Sequence, residues 1–514
     1  MGVEISSSRF MAPYFGSSMI TWTVIIGVIL VAMSIGNFIG GRLADQDDPT
    51  RRLYQLILWA SIWIALLPLL GKYLIASIAA ASIAFFPDQV VLVGSITSCI
   101  LLFALPCIIL GATSPCMIKA ATRNLDNNGR VAGEIYGLST LGSIFGTFLP
   151  TFFTIPLIGT DLTFYLFAAT LCSLAVYHRL KQRSLSALPA LIIVIALAAA
   201  GHRPIFAFWD NPLYEGESVY NYLRVNRQDD LTTLSTHVVL GTQSMHSSKP
   251  GLTDLYFDLA LLSHLCLDKH ADDAPISTLV LGFATGTFAK LSRHFFPNTQ
   301  IDGVEIDPEI VNLGKKYFDL KDEDAQVFIE DGRVFINRSD KKYSVVFIDA
   351  FHDVTCPFHM ATREFFVQLR KNLADDGVIA LNINMRSKLQ PDLFTYLSGT
   401  VADVFPKAMV CAPPDFYNRI IFASNNERMF QILQKNAENL DREHPLKQLV
   451  NQTLPHFSDL EKSAFILTDD LAPVEMIGFN MLNQQIKSVF REAIVRVIYR
   501  LAVPPPKTSP KTDS

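Results

Sequence analysis

Four carboxylates in the second half of the chain fall where chemistry could use them. Glu305 lies within TQIDGVEI, Asp331 just after AQVFI, and Asp349 directly after YSVVFI, with Asp353 four residues further on. Each apolar run has the length and composition of a buried strand, so each acid sits at or just past a strand tip. A carboxylate in the place of Glu305 can accept two hydrogen bonds from vicinal ribose hydroxyls. One in the place of Asp349 can take a proton from an attacking nucleophile. Asp331 and Gly332 stand where an adenine amino group could be met. The loop LGFATGT adds Gly282 for a close turn and Gly286 for room to approach. Two glycines after a strand are common, and Glu305 and Asp331 could each simply cap a following helix. In register after successive strands, however, the set describes a nucleoside pocket. No phosphate cradle with a Lys-Ser or Lys-Thr pair is present, which disfavours a nucleoside triphosphate. An adenosyl sulfonium cation suits acid-lined walls better.

The elements that must position these acids are legible. STLVL, a loop, FAKLSRHFF, TQIDGVEI, DPEIVNLGKKYF, AQVFI, YSVVFI, TREFFVQLRKNL and GVIALNI alternate strand-like and helix-like patterns. Asp307 and Pro308 supply a helix cap and a first turn. This alternation predicts a parallel sheet covered on both faces, a Rossmann-like domain of the class I methyltransferase type. Ligands in such sheets bind beyond the carboxyl ends of the strands. Upstream, VYNYLRVNR and LTTLSTHVVL read as a small β-hairpin region, followed by a helix over 254–267.

The first part of the chain is different. Up to about Gly201 it consists mostly of long uncharged runs, and from His202 charges reach ordinary globular density. Residues 17–41, 53–71, 90–113, 132–158 and 162–177 are apolar enough to span a bilayer as helices, and 184–201 is marginal. The expected organisation is a helical transmembrane domain over 1–203 with five or six spans, an α/β domain over 211–485, and a basic helix with a Pro-rich polar tail over 486–514. A multi-pass protein of the cell (inner) membrane follows. Loops carrying Arg42, Arg51 and Arg52, then Lys119, Arg123 and Arg130, then Arg179, Lys181 and Arg183 alternate with poorer ones, such as the loop holding only Lys72. The positive-inside rule makes the three basic loops cytoplasmic. If 184–201 crosses, the soluble half lies outside the cytoplasm; otherwise it stays inside, the expected side for a catalytic domain. Gly36-xxx-Gly40, Gly133-xxx-Gly137 and Gly142-xxx-Gly146 suit close helix packing within one bundle, with a homodimer face as the alternative. No charged residue falls mid-span, which counts against an ion-coupled transporter.

A net charge of −5 gives no reason to expect a nucleic acid partner. Seven scattered cysteines without a C-x-x-C pair, and histidines without ligand spacing, predict neither disulfides nor a metal site.

VLGFATGTFAKL, IDGVEIDPEIVNLGKKYF, IEDGRVFI, YSVVFIDAFHD and TREFF together resemble the spermidine/spermine synthase (polyamine aminopropyltransferase) family. SRFMAPYFGSS, GGRLAD, PFHMATREFF and LTDDLAPVE are similar to its membrane-fused bacterial branch, so the resemblance runs along nearly the whole chain. It implies transfer of an aminopropyl group from decarboxylated S-adenosylmethionine to a small amine such as putrescine. By match, Asp349 is the catalytic acid/base. Gln243, Gly282, Thr285, Gly286, Glu305, Asp331 and Gly332 hold the cofactor, and Asp258, Asp353 and Pro357 hold the amine. Three departures stand out. Thr285 occupies the place of an Asp that reads the cofactor's free amino group. Phe257 replaces a histidine, and His352 stands where a second Asp is usual, with Asp353 one position on.

Three functions fit these residues. They are those of an aminopropyltransferase, another S-adenosylmethionine-dependent transferase on the same scaffold, and a non-catalytic nucleoside- or polyamine-binding membrane protein.

Overall fold

The computed structural model describes residues 1–46, 48–87, 89–122, 128–200, 206–238, 242–249, 251–268, 275–350, 356–384 and 391–478. The expected basic helix and tail, together with Asp353, lie outside the described residues.

The strand-like runs of the second half pair into two sheets. The first is antiparallel, in the order β1-β2-β3-β4: Tyr214–Glu217, Tyr222–Gln228, Leu231–Ser235 and Ser244–Ser247. The second has eight strands. In chain order they are β5 (Ile276–Leu281), β6 (Thr299–Glu305), β7 (Gln326–Ile329), β8 (Tyr343–Ile348), β9 (Leu373–Ile383), β10 (Lys407–Cys411), β11 (Arg419–Ser424) and β12 (Phe457–Asp459). Their spatial order is β12-β10-β11-β9-β8-β5-β6-β7, parallel from β7 to β9 and antiparallel beyond. The chain lays down β5, β6 and β7 in one direction and then returns to place β8 on the other side of β5. That reversal opens a crevice beyond the tips of β5 and β8.

Both faces of this sheet are covered. Along β5, Leu279 and Leu281 enter one core and Val280 the other; along β8, Val346 and Ile348 part from Val345 and Phe347 in the same way. Continuous apolar runs are what period-two side chains require when both faces are buried. Phe347, 1% exposed, is worth about 3–5 kcal/mol against alanine.

Among the described residues of the apolar half, four segments are long and apolar enough to cross a membrane: Met19–Ala44, Pro49–Phe85, Val90–Ala121 and Gly129–Lys181. The last joins two segments that the sequence separates. Gly159 breaks it at φ 82°, and Gly2 lies in contact range of both Gly146 and Phe167, so the helix that begins at Gly2 touches the arms before and after Gly159. Pro49–Phe85 is one helix, which places Lys72 inside it and buried rather than in a loop. Gly36 and Gly40 pack against the backbone of Ile108 and Ala112 within the bundle, whereas Gly133, Gly137 and Gly142 face open space.

A helix at Gly2–Phe15, not expected from the sequence, packs into the bundle core and meets the soluble half along Ser8, Arg9, Ala12 and Pro13. Its Phe10 packs edge-on against Phe164 and Phe206, and the Tyr14 hydroxyl donates to the Phe206 carbonyl at 2.7 Å. The soluble half grips the same end elsewhere. Glu217 of β1 accepts from the Thr160 amide and, at 2.7 Å, from its hydroxyl, capping the helix that restarts after Gly159. Lys119 pairs with Asp45 at 3.4 Å and Tyr54 stacks on His178 at 3.7 Å at the opposite end, among the basic loops. Leu188–Ala200 begins beside those loops, and the chain reaches Phe206 at the soluble end. The soluble half therefore docks on the end of the bundle away from Arg42, Arg51, Arg52, Arg179 and Lys181.

Candidate active site

A cleft of about 190 Å³ opens over the tips of β5, β6 and β8, with the first sheet as its lid. Gly282, Glu305, Asp331, Gly332 and Asp349 line it from below, and Gln243 from the lid. Pro357 closes one side. The crevice depends on Gly282. Its φ is +83°, and a Cβ there would lie 2.5 Å from the Asp349 carbonyl oxygen.

Asp349 is held from both sides. The Tyr256 hydroxyl donates to its Oδ2 at 2.7 Å, and Asn382 Nδ2 to its Oδ1 at 2.7 Å. Asn418 donates to Asn382 Oδ1 at 2.9 Å, which turns the Asn382 amino group toward the carboxylate. Burial raises the Asp349 carboxyl to about 7, against the pull of these two hydrogen bonds and helped by the charge of Glu305. Glu305 is also raised to about 7 by burial. Its Oε2 accepts from the Ala284 amide at 2.8 Å and its Oε1 from the Asp307 amide at 3.1 Å. Two carboxyls poised near neutrality in one cleft are suited to moving protons and to holding a cation.

Asp331 does two things at once. Its Oδ1 caps the helix Gly332–Arg338 through the amides of Arg333 and Val334, as a purely structural reading of the sequence would have it. Its Oδ2 meets His359 Nε2 at 3.0 Å on the cleft wall. Arg333, from the same turn, donates to the His359 carbonyl at 2.8 Å and forks onto Asp469 at 2.7 and 2.6 Å. The Thr362 hydroxyl also reaches Asp469, at 2.7 Å. Three stretches quoted above for their resemblance thus clamp one another around His359 and Met360.

Three expected residues stand elsewhere. Thr285 is 1% exposed and donates its hydroxyl to Ser244 at 2.7 Å, tying the loop to β4. The loop turns at Ala284, at φ 50°, which shows Ala284 to the cleft in its place. Gly286 packs toward Leu320, where a Cβ would come within 2.8 Å. Asp258 is buried below the lid, accepting from the Thr253 amide and hydroxyl and the Asp254 amide at 2.7–2.9 Å. It fixes the start of the helix carrying Tyr256.

Other wall residues gave no separate signal in the sequence. Tyr220, Asn221 and Thr236 reach over from the lid, and Ile306, Ile310 and Met360 offer apolar surface for a planar base. Tyr256 is the neighbour of Phe257 in a stretch already singled out, but nothing in its spacing ties it to Asp349. Among the described residues no cluster of histidine, cysteine and acid side chains could hold a metal.

A family model for the spermine/spermidine synthase domain matches residues 260–437. A protein of Bifidobacterium longum named "Probable polyamine aminopropyl transferase" is 36% identical over 331 residues, covering 61% of this chain and 73% of its own. A polyamine aminopropyltransferase of Vibrio vulnificus is 25% identical over 307 residues, covering 56% of this chain and 98% of its own. An N-terminal histidine N-methyltransferase of Emericella nidulans is 33% identical over 171 residues, covering 30% of this chain and 29% of its own.

Proposed function

Because this chain belongs to the spermidine/spermine synthase (polyamine aminopropyltransferase) family, we propose that its cleft moves an aminopropyl group from decarboxylated S-adenosylmethionine to an amine. Asp349 carries the reading. It is a strand-tip carboxylate oriented by two side-chain donors, with its proton affinity raised to the range of neutral pH. A donor held there would offer the carbon beside its sulfonium, and the electrons of the broken carbon–sulfur bond would leave with methylthioadenosine. Asp349 takes the proton that the attacking nitrogen gives up. In this reading Glu305 would accept from the ribose hydroxyls, and Ile306, Ile310 and Met360, which line the same cleft, would pack on the base. Glu305 and Asp349 together also favour a positively charged ligand.

Methyl transfer is the second reading. Thr285 faces Ser244 and shows no carboxylate to the donor's amino group, which leaves unmodified S-adenosylmethionine admissible. The products separate the two. Full-length protein is incubated with each donor and a panel of amines, and the adenosine product is identified by mass. Methylthioadenosine supports aminopropyl transfer and S-adenosylhomocysteine supports methyl transfer. Neither product with any amine would overturn both.

The four long apolar helices are read as the membrane anchor. The basic loops gather at the end of the bundle opposite the soluble half, and the positive-inside rule assigns that basic end to the cytoplasm. On this argument the cleft faces the other side of the membrane, and its substrates have to be supplied there.

A further inference from the structure

A second cavity, of about 280 Å³, lies at the seam between the Gly2–Phe15 helix and the first sheet. It shares Tyr220, Asn221 and Thr236 with the nucleoside cleft, so those three side chains form a common wall between the two spaces. Among the described residues its lining holds one cation, the half-buried Arg9, and one carboxylate, Glu217; Asp307 also lies within electrostatic reach of Arg9. Neither acid pairs with it. Both oxygens of Glu217 are taken by Thr160. Asp307 accepts from the Ser218 hydroxyl at 2.5 Å, from Asn221 Nδ2 at 2.9 Å and from the Glu309 amide at 3.0 Å. Among the described residues no carboxylate or carbonyl accepts a hydrogen bond from the Arg9 guanidinium.

A guanidinium drawn partly out of water without a partner is costly, and it persists where something else supplies the negative charge. Its planar fork fits the oxygens of a carboxylate or phosphate. A second polyamine nitrogen placed here would instead meet a like charge. We infer that the seam cavity binds an anionic group, carboxylate or phosphate, on the molecule that reaches the cleft past Tyr220, Asn221 and Thr236. Resting on the aminopropyl-transfer reading, this makes the acceptor an amine that also bears an anion, rather than a simple polycation. Trp22, from the helix Met19–Ala44, forms part of the same lining. One side of the site thus belongs to a helix apolar enough to enter a bilayer, so a lipid headgroup and a free amine-phosphate or amino acid share the required chemistry.

Titration calorimetry on the full chain saturated with methylthioadenosine tests this. The probes are phosphoethanolamine, γ-aminobutyrate, phosphatidylethanolamine in nanodiscs, and putrescine. At least one anion-bearing probe should bind more tightly than putrescine. Arg9→Met should weaken that probe about 10- to 100-fold, the range for a lost charge-assisted hydrogen bond, without changing methylthioadenosine affinity. Arg9→Lys, which keeps the charge, should retain most of the binding and guards against misfolding of the Met variant. Preference for the nanodisc over phosphoethanolamine assigns the lipid source, and the reverse assigns the soluble one. Tightest binding by putrescine, indifference to Arg9→Met, or silence from every anion-bearing probe overturns the inference. Failure of methylthioadenosine itself to bind strikes the proposed function instead.

Discussion

The Tyr256 hydroxyl donates to Asp349 Oδ2 at 2.7 Å across 93 positions of sequence, joining the helix beneath the lid to the tip of β8. With Asn382 on the other oxygen, it leaves the carboxylate one orientation, toward the cleft. Both bonds favour the ionised form and work against burial. Tyr256→Phe should therefore move the acid limb of the pH–rate profile to higher pH and lower kcat about tenfold. A limb that stays in place would show that Asp349 does not set it.

Asp349→Asn keeps the shape of the side chain and removes its basicity. Turnover should fall about 10²- to 10⁴-fold, the usual contribution of a general base. Methylthioadenosine affinity, read by calorimetry, should change less than about threefold.

Asp349 and Glu305 are both raised to about 7 in the folded chain, well above their unfolded values. A raised acid binds its proton more tightly when folded, so its stabilising contribution is full at pH below 4 and is lost as pH rises through 7. Between pH 5 and 8 the ligand-free soluble half should lose thermal stability from these two groups. Asp349→Asn should flatten that slope, and a slope unchanged by the substitution would contradict the assignment.

Gly282→Ala places a Cβ against the Asp349 carbonyl at a backbone angle suited to glycine. The left-handed conformation alone costs about 1–2 kcal/mol. Spreading the tips of β5 and β8 should also weaken methylthioadenosine binding at least about tenfold, while Gly129→Ala, which meets no neighbour, should leave it unchanged.

A reporter that is active only outside the cytoplasm, fused after Ser514, should give signal if the basic loops face inward. A cytoplasmic reporter fused at the same point should be silent. The opposite pair of results would show that the charge bias does not orient this bundle.

The amino-acid order determined a good deal. Apolar runs with period-two burial and intervening amphipathic helices specified a two-faced sheet, because each strand had to hide both of its sides. The acids at the ends of three of those strands placed Glu305, Asp331 and Asp349 on one edge. What it left undecided were matters of direction and of distance along the chain. Whether Thr285 faced the ligand depended on a turn at Ala284 and on Ser244 being near. That Asp258 serves the helix start rather than the cleft follows from two amides folding back onto it. The pairing of Tyr256 with Asp349, the clamp of Arg333 on Asp469, and the seam cavity that Arg9 shares with the first sheet all join segments that local pattern cannot relate. Periodicity fixes which face of an element is buried, but only packing fixes what that face meets.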